Sequence, residues 1–183
     1  MILYKRFVLL ICCCLLIAGC WDSIEVEERG FVTGIAIDLA NEKQAEREID
    51  SESEQDQIKL TQQLLNPSSL GSIQSNNTNT TSKSFRNISL TGDTIIEINR
   101  NMIKQAGRRT NVTHLNIVLF SEDVAQKEHL FAELMDIFLR EKEMLRSVKI
   151  AITKDEASSY LNVLPENEKI PSKYLSIILI SSI

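Results

Sequence analysis

Cys20 is the residue of this sequence with the clearest chemical use. It ends the segment Ile17-Ala18-Gly19-Cys20, in which a branched apolar residue and two small residues precede a cysteine. This order is typical of the bacterial lipobox, where small residues let the extended chain enter a signal peptidase and the thiol receives a diacylglyceryl group. We predict Cys20 as the lipid attachment site. The alternatives are an ordinary signal peptide, or an uncleaved anchor, with a chance cysteine.

The residues before Cys20 have the form of a signal peptide, which we assign to residues 1–19. Lys5 and Arg6 precede an unbroken apolar run over residues 7–18. As a helix this run would span ~18 Å at ~1.5 Å per residue, well short of a ~30 Å hydrocarbon core. Three more cysteines, at positions 12, 13 and 14, would leave with it. The mature chain would then lack a disulfide, a cysteine metal site and a cysteine nucleophile.

The charge balance of the chain counts against nucleic-acid binding. Lys and Arg number 20, Asp and Glu 25, and the net charge is −5. Cleavage after residue 19 removes two basic residues and no acidic one, which leaves −7. A general nucleic-acid binder usually carries a basic face. We therefore expect no nucleic-acid partner.

The two histidines do not form a catalytic or metal-binding pattern. His114 falls in an apolar segment predicted as a strand, where a structural role is favoured over catalysis or metal binding. His129 falls on the flank of a predicted helix, where we expect it to be solvated. No nucleophile elbow, paired-histidine zinc motif or phosphate-binding loop is present. The sequence predicts no enzyme activity, no catalytic residue, no metal and no cofactor.

Two further polar features could bind ions. Arg108 and Arg109 form a basic pair that could bind an anionic partner or a lipid headgroup, although a solvated helix end that complements the macrodipole is the favoured interpretation. Asp38 ends an apolar strand and could take a cation, although such residues more often cap a turn.

The elements that must position these residues follow from hydrophobic periodicity. Residues 41–56 are strongly acidic and predict a hairpin tip, and residues 66–82 are rich in Ser, Thr and Asn and predict a mobile loop. The predicted strands cover 31–38, 57–65, 84–90, 112–120 and 147–153, and the predicted helices cover 94–106, a single segment between 121 and 140, 155–164 and 171–180. This order predicts an α+β fold: a mixed β-sheet with an early hairpin and later β-α-β units, and helices packed against the sheet.

Several segments together resemble the Ger(x)C family of spore germination lipoproteins, the C subunits of nutrient germinant receptors. They occur in the family's order across nearly the whole mature chain, with Ala36 in place of a second glycine. They are Gly19-Cys20-Trp21-Asp22, Phe31 to Asp38, Leu65 to Leu70, Leu90 to Ile95, Arg108-Arg109, His114 to Val118, Ser121 to Ala125, Phe138 to Arg140 and Ile170 to Leu175.

The resemblance implies a domain organisation. Residues 1–19 would be the signal peptide, 20–30 a lipidated tether, and 31–183 the N-terminal mixed α/β domain of the family. Family members continue into further domains, so the chain is expected to be an N-terminal portion, truncated before those domains.

The resemblance also implies a function by binding. The protein would be anchored by lipid on the outer face of the spore inner membrane. It would assemble with the integral membrane A and B subunits into a receptor that triggers germination, and direct nutrient binding stays open. The alternatives are a solute-binding lipoprotein of a transporter and, less favoured, an anchored hydrolase.

Overall fold

The computed structural model describes residues 5–6, 29–40, 56–66 and 83–181. The predicted lipid attachment residue Cys20 lies outside the described residues, as do the acidic residues 41–55, the polar segment 67–82 and all of the predicted signal peptide except residues 5–6. Within the described ranges, no helix is both long enough and apolar enough to cross a membrane.

The six described strands form one mixed sheet. They are β1 (Arg29–Leu39), β2 (Ile58–Leu65), β3 (Phe85–Gly92), β4 (Arg109–Asn111), β5 (Ile117–Ser121) and β6 (Lys149–Thr153). The order across the sheet is β3-β2-β1-β5-β6, and β4 pairs with β1. The pairs β1–β2 and β2–β3 are antiparallel, whereas β1–β5 and β5–β6 are parallel. The predicted α+β fold with an early hairpin and a later parallel portion is confirmed.

The sheet starts slightly earlier than predicted. Strand β1 begins at Arg29 and pairs with β4 from that residue. The last two residues assigned to the 20–30 tether therefore belong to the sheet.

Five described helices pack on the sheet. They are α1 (Ile95–Ala106), α2 (Glu122–Ala125), α3 (Glu128–Arg140), α4 (Ala157–Tyr160) and α5 (Pro171–Ser181). The predicted ends of α1 are confirmed. The Thr94 hydroxyl accepts a hydrogen bond from the Glu97 N–H at 3.3 Å, and Gly107 adopts φ 65° while its N–H donates to the Ile103 carbonyl.

The prediction of one strand over residues 112–120 is wrong. Strands β4 and β5 both run parallel to β1, the first opposite residues 29–31 and the second opposite residues 34–37. Between them the Asn111 carboxamide accepts the Thr113 N–H at 3.0 Å, which closes a local turn. His114 lies in this turn and is exposed, so its predicted place in an apolar strand is wrong as well.

The prediction of one helix between residues 121 and 140 is also wrong. Helix α2 ends after one turn, and α3 begins after Lys127, whose ψ of 87° is not helical. Ser121 stands at the predicted N-cap, but its side chain forms no capping hydrogen bond. The break lets α2 bury Val124 completely while α3 buries Leu134 and Phe138.

Each face of the sheet carries its own apolar core. On one face, Ile35 and Ile37 pack with residues of α1, α2 and α3. Here the ring of Phe120 meets Phe131 and Phe138 edge to face, with centroids 5.1 and 6.1 Å apart. On the other face, residues of β1 and β5 pack with α4 and α5 through Ala36, Ile117, Leu119, Ala157, Leu161, Leu175 and Leu179. The domain is therefore a three-layer arrangement with helices on both sides of the sheet.

Candidate functional site

The two histidines do not come together into a catalytic centre. The exposed ring of His114 lies edge-on to Phe31, with centroids 5.3 Å apart. His129 is exposed on α3. Within the described part of the chain, no group of three or more His, Cys, Asp and Glu side chains is placed to hold a metal ion. Neither histidine therefore has a described partner for acid–base or metal chemistry.

Asp38 has a structural role at the start of α4. It is buried, and its two carboxylate oxygens accept hydrogen bonds from the backbone N–H groups of Ala157 and Ser158, the second at 3.0 Å. Burial raises the pKa of Asp38 above its ordinary 3.8, although these two N–H donors act in the opposite direction. The carboxylate is therefore occupied by the backbone, which agrees with the capping interpretation rather than with cation binding.

A pair of charges stands beside this cap. The Lys59 ammonium group on β2 lies 2.6 Å from the Glu156 carboxylate, just before α4. The hydrogen bond from Lys59 lowers the pKa of Glu156 below its ordinary value. Because the Glu156 side chain is half exposed, solvent screening limits what the pair contributes to stability. The Lys59–Glu156 pair connects β2 to the start of α4.

Gln63 connects β2 to both C-terminal helices. Its amide nitrogen donates to the Leu161 carbonyl at 2.8 Å and to the Asn87 side-chain oxygen at 3.0 Å. Its amide oxygen accepts the Ser172 N–H at 3.0 Å. All these groups are satisfied although Gln63 is fully buried. Sequence reasoning missed this residue, because Leu161 and Ser172 lie 98 and 109 positions away along the chain.

The basic pair Arg108-Arg109 is divided by the structure. Arg108 lines a pocket of about 290 Å³ together with Arg86 of β3, whereas Arg109 belongs to β4. Neither Arg86 nor Arg108 forms an ion pair with another described residue, and no acidic residue is among the described residues that line this pocket. We call it the basic pocket; its lining is Gly30, Leu64, Leu65, Asn66, Arg86, Ala106 and Arg108. Sequence reasoning found Arg108 but missed Arg86, which is far from it in sequence.

These contacts define a class of protein: an α+β domain in which two buried polar residues of the sheet, Asp38 and Gln63, hold the C-terminal helices against it. The family match then makes the assignment. Residues 22–183 match the family model described as the spore germination protein N-terminal domain, and the chain belongs to this family. The resemblance to the Ger(x)C family is confirmed.

Curated relatives from Bacillus subtilis (strain 168) agree with the family match. The chain is 34% identical to spore germination protein YndF over 175 residues, which cover 90% of this chain and 42% of the relative. It is 26% identical to spore germination protein A3, covering 89% of this chain and 39% of the relative, and 25% identical to spore germination protein KC, covering 90% and 37%. The chain thus spans about two fifths of the length of these relatives. No solved structure matches it.

Proposed function

We propose that the chain is a lipid-anchored subunit of a nutrient germinant receptor, attached to the membrane through Cys20. In this proposal it acts by assembly with integral membrane subunits on the outer face of the spore inner membrane, and it performs no catalysis. The proposal is supported by the family match over residues 22–183, by relatives named as spore germination proteins, and by the lipobox at residues 17–20.

The edge strand β6 is the observation that carries the assembly part of the proposal. Among the described strands β6 pairs only with β5, so one side of it offers unpaired backbone groups. Its side chains Ile150 and Ile152 are 39% and 58% exposed. Soluble proteins usually protect such an edge with charge, proline or a covering segment. Lys149 begins β6 and Lys154 follows it, so the apolar part of this edge is the short stretch between them, which is suited to pairing with another polypeptide.

The basic pocket supports an orientation towards the membrane. It lies at the end of the sheet where β1 begins, beside Gly30. Cys20 is ten residues before Gly30, and an extended chain of that length reaches at most ~34 Å at ~3.4 Å per residue. A tether of this length lets Arg86 and Arg108 reach the headgroups of a membrane that holds the lipid. A negatively charged membrane surface attracts such residues even when the net charge of the protein is negative.

Purification from membranes tests the assembly. The tagged chain should carry multi-span membrane proteins with it from detergent extracts, in the absence of nutrient. Ile152→Lys places a charge on the β6 edge and should reduce this recovery strongly. Ile96→Lys is the matched control, because Ile96 is 68% exposed on α1 and away from β6.

The outcomes separate clearly. Both variants should melt at nearly the temperature of the unchanged protein, since both side chains are already exposed. Recovery of the chain from membranes without any multi-span partner would contradict the receptor proposal. Equal loss of partner with Ile96→Lys and Ile152→Lys would show that β6 is not the assembly surface.

A further inference from the structure

The helices α4 and α5 are connected to the sheet differently from the other described helices. We call residues 154–181, which contain both helices, the α4–α5 layer. This layer follows β6 and contributes no strand to the described sheet, so its release would break no described strand pair. By contrast, α1 lies between β3 and β4, and α2 and α3 lie between β5 and β6. Those three helices are therefore held by strands at both of their ends.

The apolar core beneath the α4–α5 layer is small. Among the described residues, five buried side chains form this core, and only Ala157 and Leu161 of the layer belong to it. The core on the opposite face of the sheet, against α1, α2 and α3, has fifteen described buried side chains. Because burial of apolar surface supplies most of the free energy that favours folding, the layer is held more weakly than the helices of the other face.

The packing of α5 adds little apolar burial to this core. Ser172 and Ser176 are buried, whereas Ile177, Ile178 and Ile180 are between 42% and 60% exposed. The Ser172 hydroxyl oxygen is buried and has no hydrogen-bond partner among the described protein groups. A buried hydroxyl without a partner loses its hydrogen bonds to water, so this group favours release of the helix from the sheet.

Hydrogen bonds from two buried residues of the sheet hold the layer in place. The Asp38 carboxylate accepts two backbone N–H groups at the start of α4. The Gln63 amide donates to the Leu161 carbonyl, just after α4, and accepts the Ser172 N–H in the first turn of α5. Because Gln63 binds both helices through one side chain, separation of either helix from the sheet weakens the attachment of the other.

We propose that the α4–α5 layer opens as one unit while the sheet and the helices α1, α2 and α3 stay folded. Regions with few buried apolar contacts open at a lower free energy than the whole domain. Opening exposes the side of β1 that carries Gly34 and Ala36, which the layer covers in the closed state. A partner that binds only one of the two states would shift the equilibrium towards it, which makes the layer a conformational switch. This property is independent of the lipid anchor and of the β6 edge.

Hydrogen exchange of the full chain in a non-ionic detergent, followed by nuclear magnetic resonance, tests the proposal directly. The N–H groups of Ala157, Ser158 and Ser172 donate to sheet side chains in the closed state, so each of them is protected until the layer opens. All three should report one common opening constant, although they belong to two helices. The slowest N–H groups of β1 and β5 should be protected at least about tenfold more strongly, because they exchange only when the sheet unfolds.

Two variants separate opening of the layer from unfolding of the whole domain. Gln63→Leu should speed exchange by about tenfold in the layer and in the sheet alike, because its contacts are lost in both processes. Ile98→Val is the matched core variant, because Ile98 is fully buried on α1 in the opposite core. It should speed exchange of the slowest sheet N–H groups by about threefold to tenfold and leave exchange in the layer unchanged, since its contacts persist in the open state.

Three results would overturn the proposal. The first is a clear difference in opening constant between the N–H groups of Ala157 and Ser158 and that of Ser172, which would mean that the two helices open separately. The second is equal protection of the layer and the sheet. The third is equal acceleration of exchange in the layer and the sheet by Ile98→Val, which would mean that the domain unfolds only as a whole. None of these results bears on whether the chain assembles with membrane subunits, so the two proposals fail separately.

Discussion

Gly34 and Ser172 approach each other so closely that no side chain fits between them. A Cβ atom on Gly34 would lie 2.6 Å from the Ser172 Cβ and 3.0 Å from a methyl carbon of Leu161. Gly34 belongs to β1, just after the irregular pairing near Val32, and Ser172 is fully buried in the first turn of α5. The absence of a side chain at this position lets α5 rest directly on the central strand.

Replacement of this glycine should therefore loosen α5. We expect Gly34→Ala to lower the free energy of unfolding by about 1–3 kcal/mol, the usual cost of overpacking. Gly30→Ala is the matched control on the same strand, because its nearest contact would be a Leu64 methyl group at an ordinary 3.4 Å. Urea denaturation of both variants measures the difference. Equal effects at the two positions would contradict the close-approach argument.

Replacement by leucine should affect the stability of the protein differently at the neighbouring glutamines Gln62 and Gln63. Gln63→Leu leaves the buried Ser172 N–H without its partner, so it should cost about 1–3 kcal/mol, whereas the Leu161 carbonyl still accepts a hydrogen bond from the Asn87 amide. Gln62→Leu removes one 3.3 Å hydrogen bond and an acceptor that has no partner among the described residues, so it should be nearly neutral or stabilising. Thermal denaturation under one buffer condition compares the two. A larger loss of thermal stability for Gln62→Leu than for Gln63→Leu would contradict this prediction.

The sequence was sufficient for the features that depend on near neighbours. Helix α1 is predicted with both of its ends, because Thr94 and Gly107 act on backbone groups three or four residues away. The first hairpin is predicted because two apolar segments typical of strands lie on either side of a charged segment. These features need no knowledge of the tertiary structure.

Features that depend on distant partners could not be predicted in the same way. Residues 112–120 look like one strand because they are apolar and β-branched, but the irregular pairing of β1 and the turn at Asn111 divide the segment. The Gln63 contacts join positions that are 98 and 109 residues apart. Arg86 and Arg108 likewise meet only through the packing of β3 and the end of α1 around one pocket.

The buried Asp38 carboxyl group should make stability depend on pH. Because its pKa in the folded protein is raised above the ordinary 3.8, the folded state binds a proton more readily than the unfolded state. The free energy of unfolding contributed by this group should therefore fall as pH rises from about 3.8 through the folded pKa. Asp38→Asn cannot titrate, so the stability advantage of the unchanged protein over this variant should shrink across that interval. Urea denaturation between pH 3.5 and about pH 7 measures this difference; an advantage that grows with pH would contradict the sign.

The role of Cys20 as the anchor predicts the fate of a variant without it. Two acyl chains bury many methylene groups at ~0.8 kcal/mol each, which is enough for stable attachment. We expect Cys20→Ala to abolish labelling by radioactive fatty acid and to leave uncleaved precursor or released protein. Cys14→Ala is the control, because Cys14 lies within the predicted signal peptide and should not affect labelling. Normal labelling of the Cys20→Ala chain would rule out this residue as the attachment site.

The basic pocket should give the domain a measurable affinity for anionic membranes even without its lipid. A chain starting at residue 21 should bind vesicles that contain phosphatidylglycerol and not vesicles of phosphatidylcholine alone. Arg86→Gln with Arg108→Gln removes two cations that form no described ion pair, and at about 1 kcal/mol each this should weaken binding roughly 30-fold. Arg100→Gln with Arg146→Gln is the matched control, because both residues are exposed and neither lines the basic pocket. The two double variants have the same net charge, so only the position of the charge differs.

Binding of the unchanged chain should also decline as salt is raised, since screening shortens the reach of surface charge to ~10 Å at about 0.1 M. Equal loss in the two double variants would mean that net charge governs the contact, and the proposed orientation of the sheet on the membrane would then be wrong.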